Sequence, residues 1–271
     1  MKVSVVITTY NRPSYLKRSL DGFLKQSHLP DEIVIADDGS SEETASLIET
    51  FRKDATNINI LHIWHEDRGF RTSRIRNRAI SRASGTYLLL CDDDVIPGYR
   101  FVQDHLKYSE DGFFIQGHRV LLKDKVSEQF GFKDISMSSL FKLLLKGQAH
   151  NISSAFRLPF PIIRVSKGLK GIRSCNMSFF RKDLIAVNGF NEDFEGWGKE
   201  DSELVVRFYN YGLRRKDIKF RAQCVHLYHP EYSRENLGRN IDLLDSAISS
   251  DEFFCENGID KYILPRLKYF C

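Results

Sequence analysis

The sequence predicts an α/β fold with a mostly parallel central sheet flanked by helices. Three observations carry that expectation. Short β-branched or apolar runs recur at residues 3–8, 32–36, 58–64 and 87–91, and they are close to continuously apolar, as strands covered on both faces are. Between them lie stretches whose apolar residues recur at helical spacing. The resulting β-α-β-α-β order is the signature of a doubly wound sheet with right-handed crossovers.

Residues 3–8 lead into the turn Tyr10-Asn11-Arg12-Pro13. Ser14 is then placed to cap a helix running to Gln26, with Leu16, Leu20, Phe23 and Leu24 on one face. The strand at 32–36 ends in Asp37-Asp38-Gly39-Ser40, and a helix over 42–52 and a strand over 58–64 continue the alternation. Six arginines and no acid lie between Arg68 and Arg82, which suggests a local anionic partner. In the helix expected over 73–84, Ile75, Ala79, Ile80 and Ala83 form the inner stripe, while Arg74, Arg78 and Arg82 recur on another face. A solvated face is the plainer account of any one of those arginines. Gly85 ends the helix, and Tyr87-Leu88-Leu89-Leu90-Cys91 runs straight into Asp92-Asp93-Asp94.

A helix over 101–107 and a strand over 113–120 complete a first half, residues 1–120. Residues 124–170 are the least periodic. They hold an apolar-basic piece at 138–146, then Leu158-Pro159-Phe160-Pro161 and the basic run Arg164, Lys167, Lys170, Arg173. Such a piece can lie on a membrane, although packing against its own protein is the commoner use. Order returns with a strand at 176–181, a helix at 183–187, a helix through 204–209 that stops at Gly212, and a strand over 225–230 bearing His226 and His229. Residues 121–235 form the second half, and residues 236–271 a polar helix with an aromatic-basic tail.

A chain of 271 residues with net charge +4 has ample core and no overall bias toward nucleic acid. The five cysteines (Cys91, Cys175, Cys224, Cys255, Cys271) are widely spaced and form no C-x-x-C pair, so they are expected to be reduced thiols of a cytoplasmic protein. The N-terminus enters structure at once instead of forming a signal peptide, and no stretch approaches the ~20 apolar residues of a membrane span. On that basis the triplets starting at Asn151 and Asn176 are chance matches to glycosylation sites.

Chemistry concentrates at three places distant in sequence: Asp92-Asp93-Asp94, Glu200-Asp201 and His226/His229. Three consecutive acids at the end of a buried strand repel one another unless a cation meets them, and ligands of open parallel sheets bind beyond those strand ends. A carboxylate–imidazole set with open water positions suits Mn²⁺, and an all-carboxylate set suits Mg²⁺. Such an ion bridges phosphate oxygens and stabilises a departing diphosphate, which favours a nucleotide-diphosphate substrate. The Asp37-Asp38 turn can accept hydrogen bonds from a base or a ribose. Asp201 beside Gly196-Trp197-Gly198 is the natural proton acceptor, with Trp197 offering an apolar face to a sugar ring; an acidic first helical turn accounts for Glu200-Asp201 in simpler terms.

Together, Val3-Ser4-Val5-Val6-Ile7-Thr8-Thr9-Tyr10-Asn11-Arg12, Asp37-Asp38-Gly39-Ser40, Asp92-Asp93-Asp94 and Gly196-Trp197-Gly198-Lys199-Glu200-Asp201 resemble the inverting family 2 glycosyltransferases of GT-A fold. The last of these motifs looks like that of chondroitin-polymerase and β-1,4-galactosyltransferase relatives. The resemblance spans roughly residues 1–235 and implies a Rossmann-like sheet with an acceptor-side subregion. It implies that Thr8 and Asp38 hold the nucleotide base, with Tyr10 and Arg12 beside the donor and Asp92 or Asp93 at the ribose. Asp94 is implied as metal ligand with His229, preferred over His226, which is then a packed core residue. Asp201 is implied as the base, Glu200 as the residue orienting the acceptor, Trp197 as its platform, and Arg74 or Arg78 as the counter-charge to the leaving diphosphate. The expected cofactor is Mn²⁺ or Mg²⁺. The expected partners are a nucleotide sugar, most simply a UDP-sugar, and a glycan or lipid-linked acceptor, with peripheral membrane contact at its inner face as an option. A nucleotidyltransferase would more typically carry a Gly-rich phosphate loop after the first strand. A non-catalytic nucleotide-sugar-binding module would have no use for Asp201.

Overall fold

The computed structural model describes residues 1–151, 154, 156–230 and 232–263. Residues 264–271 of the expected tail, and Ile152 and Ser153 of the first glycosylation-like triplet, lie outside the described residues. The first half runs β1 (Val3–Thr9), α1 (Pro13–Phe23), β2 (Glu32–Asp37), α2 (Glu42–Asp54), β3 (Asn59–Trp64), α3 (Thr72–Arg82), β4 (Tyr87–Asp92), β5 (Val95–Pro97), α4 (Phe101–Tyr108) and β6 (Phe113–Gln116). There follow β7 (Val120–Leu122), α5 (Asp124–Ser127), α6 (Met137–Leu145), β8 (Ala149–His150), β9 (Ile162–Ser166), β10 (Met177–Phe180), α7 (Arg181–Ala186), α8 (Glu200–Asn210), β11 (Arg214–Lys219), β12 (Cys224–His226), α9 (Leu237–Ile248) and α10 (Asp260–Ile263).

Eight strands form the main sheet in the order β3-β2-β1-β4-β10-β6-β11-β9. β1 pairs in parallel with both β2 and β4, β2 with β3, and β6 with β11; β10 and β9 run antiparallel to their neighbours. The mostly parallel α/β sheet is therefore as expected. Alternate residues of the central strands feed two cores: Val5, Ile7, Ile33 and Leu89 pack with α1, α2 and α4, whereas Val6, Val34, Leu88 and Leu90 pack with α3 and α8.

Ser14 does not cap α1. Pro13 opens the helix, and no side chain bonds the free N–H groups of its first turn. A missing cap costs about 1 kcal/mol, but burial of Leu16, Leu20 and Phe23 contributes about 1.5–3 kcal/mol each, so packing decides. The expected strand at 113–120 is in fact two: β6 stays in the main sheet, while β7 joins a second sheet of order β5-β12-β7-β8. The strand expected over 225–230 ends at His226, leaving His229 in a loop. The aperiodic stretch contributes α6, which places Leu140 in a small core under the second sheet, and β9 on the outer edge of the main sheet.

A buried polar chain holds β10 in place. His105, on α4, has its pKa lowered to about 4 by burial and is neutral. Its Nε2–H donates to Asn176 Oδ1 (2.8 Å), because the Asn176 amide already donates to His118 O and Ala222 O. That leaves Nδ1 to accept from the Ser178 hydroxyl (2.8 Å), which in turn accepts from Tyr87 OH (2.8 Å).

Candidate active site

The C-terminal ends of β1, β2 and β4 open onto a cleft of about 500 Å³. Backbone register delivers its acids: Thr8 pairs with Asp92 across β1–β4, and Asp38 N–H donates to Thr9 O. Thr8, Tyr10, Asp38, Asp92, Asp93, Asp94, Trp197, Glu200, Asp201, His226 and His229 all line this one cleft, although they come from segments separated by more than a hundred residues.

The three aspartates differ in environment. Asp92 Oδ1 accepts from Arg76 (3.1 Å), yet burial pushes its carboxyl up to about 6. Asp93 is pushed up to about 8 by burial and by neighbouring Asp94, and its Oδ2 accepts from the Thr9 hydroxyl (2.7 Å). Burial also acts to raise Asp94, but His226, His229 and Arg12 outweigh it and hold this carboxyl below its ordinary value. Asp94 is thus the most readily ionised carboxyl of the triplet.

β5 follows Asp94 directly and pairs antiparallel with β12, Val95 opposite His226, while Leu227 N–H donates to Asp94 O (2.8 Å). This register sets His226 Nε2 3.4 Å from Asp94 Oδ1 and His229 Nε2 3.1 Å from Asp94 Oδ2. Both histidines therefore stand at Asp94, and His226 is not the packed core residue expected. One donor atom from each of the three residues falls within 4.8 Å of the others. Asp94 Oδ1 is buried without a hydrogen bond, and His229 Nδ1 donates to Pro230 O (2.7 Å), leaving Nε2 turned toward Asp94. A carboxylate with one orphaned oxygen and an imidazole at each of its two oxygens, one imidazole oriented by a backbone carbonyl, fits a divalent ion of the Mn²⁺ type.

Arg76 is the residue that sequence periodicity missed. Its guanidinium is buried among Thr8 Oγ1 (3.1 Å), Asp92 (3.1 Å), Asp201 Oδ1 (3.2 Å) and Glu200 (3.5 Å), and so ties α3 to β1, β4 and the start of α8. Arg74 and Arg78, expected at the donor, do not line the cleft. Arg74 instead bonds Glu192 (3.0 Å). The reason is helical geometry: the 100° step that turns Ile75 to the core turns Arg76, not its neighbours at 74 and 78, toward the strand ends. Arg12 likewise stands behind the acids, 3.4 Å from Asp94, and not in the cleft lining. Arg119 does line the cleft, and its guanidinium bonds Cys175 Sγ (2.6 Å) and no carboxylate among the described residues.

Asp38 accepts from Arg71 N–H (2.9 Å) and pairs with His65 Nε2 (2.6 Å), a partner with no signal in the sequence beyond its place after β3. Tyr10 donates to Asp67 (2.8 Å). Across the cleft, Gly196 (φ +73°), Gly198 (φ +103°) and Lys199 (φ +80°) fold the loop tightly before α8. At Gly196 a Cβ would come within 2.8 Å of the Asn236 side chain, so the glycine permits the close approach. The loop leaves Trp197 at the cleft wall under the Arg234 guanidinium (5.4 Å). Asp201 Oδ2 accepts from Ser174 N–H (2.9 Å), and burial, with Asp201 beside it, pushes Glu200 up to about 7.

Similarity to known proteins agrees with this geometry. The profile of "Glycosyl transferase family 2" matches residues 4–186, and that of "N-terminal domain of galactosyltransferase" matches residues 156–230. The chain is 27% identical to a Streptomyces hygroscopicus validoxylamine A glucosyltransferase over 78% of its length, 27% identical to Pasteurella multocida hyaluronan synthase over 89%, and 26% identical to Escherichia coli chondroitin synthase over 88%. It spans only 48%, 26% and 37% of those relatives. Among solved structures it is similar in fold to Staphylococcus aureus TarS in complex with UDP (TM-score 0.65, 18% identity, 98% of this chain and 71% of that one). The structure of TarS in complex with UDP-GlcNAc gives a TM-score of 0.66 at the same identity, covering 98% of this chain and 72% of that one. With the family profile covering well over half of the chain and the GT-A fold shared, the chain belongs to glycosyltransferase family 2.

Proposed function

We propose that the protein transfers a hexosyl or N-acetylhexosaminyl group, with inversion, from a UDP-sugar to a hydroxyl of a glycan or lipid-linked acceptor, in the synthesis of a cell-surface polysaccharide or lipopolysaccharide. The observation that carries this reading is the position of Asp201. It lies in the first turn of α8, joined to Asp92 through Arg76, and is fixed by Arg76 on one oxygen and Ser174 N–H on the other.

In this reading residues 1–120 hold the donor, with Thr8 and Asp38 at the base, Tyr10 beside it and Asp92 or Asp93 at the ribose. The UDP and UDP-GlcNAc complexes of the structurally similar TarS favour uridine. Residues 121–235 present the acceptor, its ring against Trp197 and its hydroxyl oriented by Glu200. Asp201 takes the proton as that hydroxyl attacks the anomeric carbon and the bond to the diphosphate breaks. Asp94, His226 and His229 would hold a Mn²⁺ or Mg²⁺ ion, which supplies Lewis-acid stabilisation of the departing diphosphate. Arg119 takes the counter-charge role expected of Arg74 or Arg78.

The test is Asp201→Asn, with donor binding followed by calorimetry and transfer by product formation over a panel of nucleotide sugars. Transfer should fall by about 10²–10⁴-fold, the usual worth of a positioned base, while donor affinity stays within a few-fold. Loss of donor binding would remove Asp201 from that role.

A further inference from the structure

Between Asp134 and Asp183 the chain contains 48 residues without one aspartate or glutamate, and nine lysines and arginines. Acids are otherwise frequent, 36 in 271 residues, so about six would be expected here at the average usage. The same stretch is where apolar side chains reach the surface. Among the described residues, eight of the twenty exposed large hydrophobic side chains lie between Met137 and Val165. Phe160 is 83% and Leu145 73% exposed, and Ile162, Ile163 and Val165 are exposed along β9, whose outer edge carries no partner strand among the described residues.

These residues belong to adjoining segments. Phe141 of α6 packs edge-on against Phe156 (6.5 Å between centroids), and Arg221 fastens the chain just beyond by donating to Leu158 O and Pro159 O. Lys142, Lys146, Arg164, Lys167 and Lys170 are exposed and, among the described residues, form no ion pair. Single exposed apolar residues need no account, but eight of them within one acid-free, basic stretch do.

We infer that the face made by α6 and the segment from Phe156 to Lys170 docks on an anionic lipid bilayer. Aromatic and aliphatic tips would enter the interface while lysines and Arg164 meet the headgroups, a pairing of buried apolar area with basic charge that binds such surfaces. A second copy of the chain is the weaker occupant. Pairing β9 with β9 would bring Arg164 and the lysines of both copies together with no acid in either stretch to neutralise them. The inference goes beyond the proposed chemistry and is tested without it, yet the two are spatially related. The chain leaving β9 passes through Ile172, Arg173 and Ser174, which line the cleft, so docking would bring the acceptor side of the site toward membrane-borne substrates.

The experiment is cosedimentation of the full chain with vesicles of phosphatidylglycerol and phosphatidylcholine, against vesicles of phosphatidylcholine alone. Binding should require the anionic lipid and weaken as salt rises. It should fall at least about ten-fold in the Lys142→Glu/Lys167→Glu/Lys170→Glu protein and in Phe160→Ser. Ile248→Ser, an exposed residue of α9 outside this face, should bind as the native chain does, and all variants should keep the native melting temperature. Hydrogen exchange on the unaltered protein should show vesicle-dependent protection at residues 137–146 and 156–170. No binding to anionic vesicles, binding indifferent to these substitutions, protection elsewhere, or a dimer in solution that the same substitutions dissociate would each overturn the inference.

Discussion

Replacing Arg76 by methionine removes the one cation that, among the described residues, faces Asp92, Glu200 and Asp201 at once, at 3.1, 3.5 and 3.2 Å. The Arg76 side chain is 5% exposed, and those of Asp92, Glu200 and Asp201 are 29%, 14% and 16% exposed, so solvent screens the acids left behind only in part. Breaking a buried ion pair from one side costs about 3–5 kcal/mol. For a domain of this size each kcal/mol lowers the melting temperature by about 2–4 °C, so a drop of about 6–20 °C is expected near neutral pH. The pH dependence gives a sharper criterion. Glu200 is raised in the folded protein from 4.5 to about 7, burial being the main cause and Arg76 the opposing one. A carboxyl raised on folding binds more protons in the folded state, so its contribution to stability is lost as pH rises from the unfolded value through the folded one. Without Arg76 that folded value moves higher still, and the loss extends above 7. The deficit relative to the native protein should therefore be smaller at pH 5 than at pH 8, as read by calorimetric melting at both. An equal deficit at the two pH values, or a melting temperature lowered by less than about 3 °C, would show that Arg76 does not neutralise this acidic group in the way its distances indicate.

Two further outcomes can be checked. Asp94→Asn, His226→Ala and His229→Ala should each weaken Mn²⁺ binding by more than about 100-fold in titration calorimetry, beyond the 10–100-fold that follows loss of an outer-shell partner; native affinity in His226→Ala would place that imidazole outside the ligand set. Glu32→Gln should cost about 1–3 kcal/mol in urea unfolding at pH 7, because the buried carboxylate accepts from the Ser4 hydroxyl and from the Ser84 N–H and hydroxyl. Burial acts to raise the Glu32 carboxyl, but those donors outweigh it and hold it below 4.5. The stabilisation is then present above 4.5 and disappears as pH falls through the folded value, and a penalty unchanged under acid would refute it.

The strands that sequence made most plainly legible were β1, β2 and β4, buried along nearly their whole length and so dominated by apolar residues. β11, Arg-Arg-Lys-Asp-Ile-Lys, went unread because its burial rests on pairing, Arg215 with Asp217 at 2.5 Å and Lys216 with Glu110 at 2.6 Å. β9 was hidden by its place on an edge, where neither face imposes a pattern. In the cleft, the acids at strand ends and the Gly-Trp-Gly loop could be read because their chemistry is local. Arg76 could not, since what distinguishes it from Arg74 and Arg78 is four acceptors supplied by three other elements. That both His226 and His229 stand at Asp94 was hidden for a related reason: this adjacency is created by the β5–β12 register, which no spacing along the chain encodes.

The chain of hydrogen bonds from Tyr87 through Ser178 and His105 to Asn176 sits beneath the site and touches none of its reactive groups. Its effect is on alignment. β10 enters between β4 and β6 from a part of the chain about sixty residues downstream of β6 and runs against both. A slip of one residue would shift it by about 3.3 Å and turn every side chain to the opposite face. Asn176 and Ser178 share one face, and both would lose their partners at once, so such a slip is refused by polar groups that have nowhere else to bond. Ser174, two residues before Asn176, is thereby indexed to Asp201. The placement of Asp201, the proposed base, is then a tolerance set in the interior, and a conservative change such as Ser178→Ala is expected to lower transfer before it lowers the melting temperature.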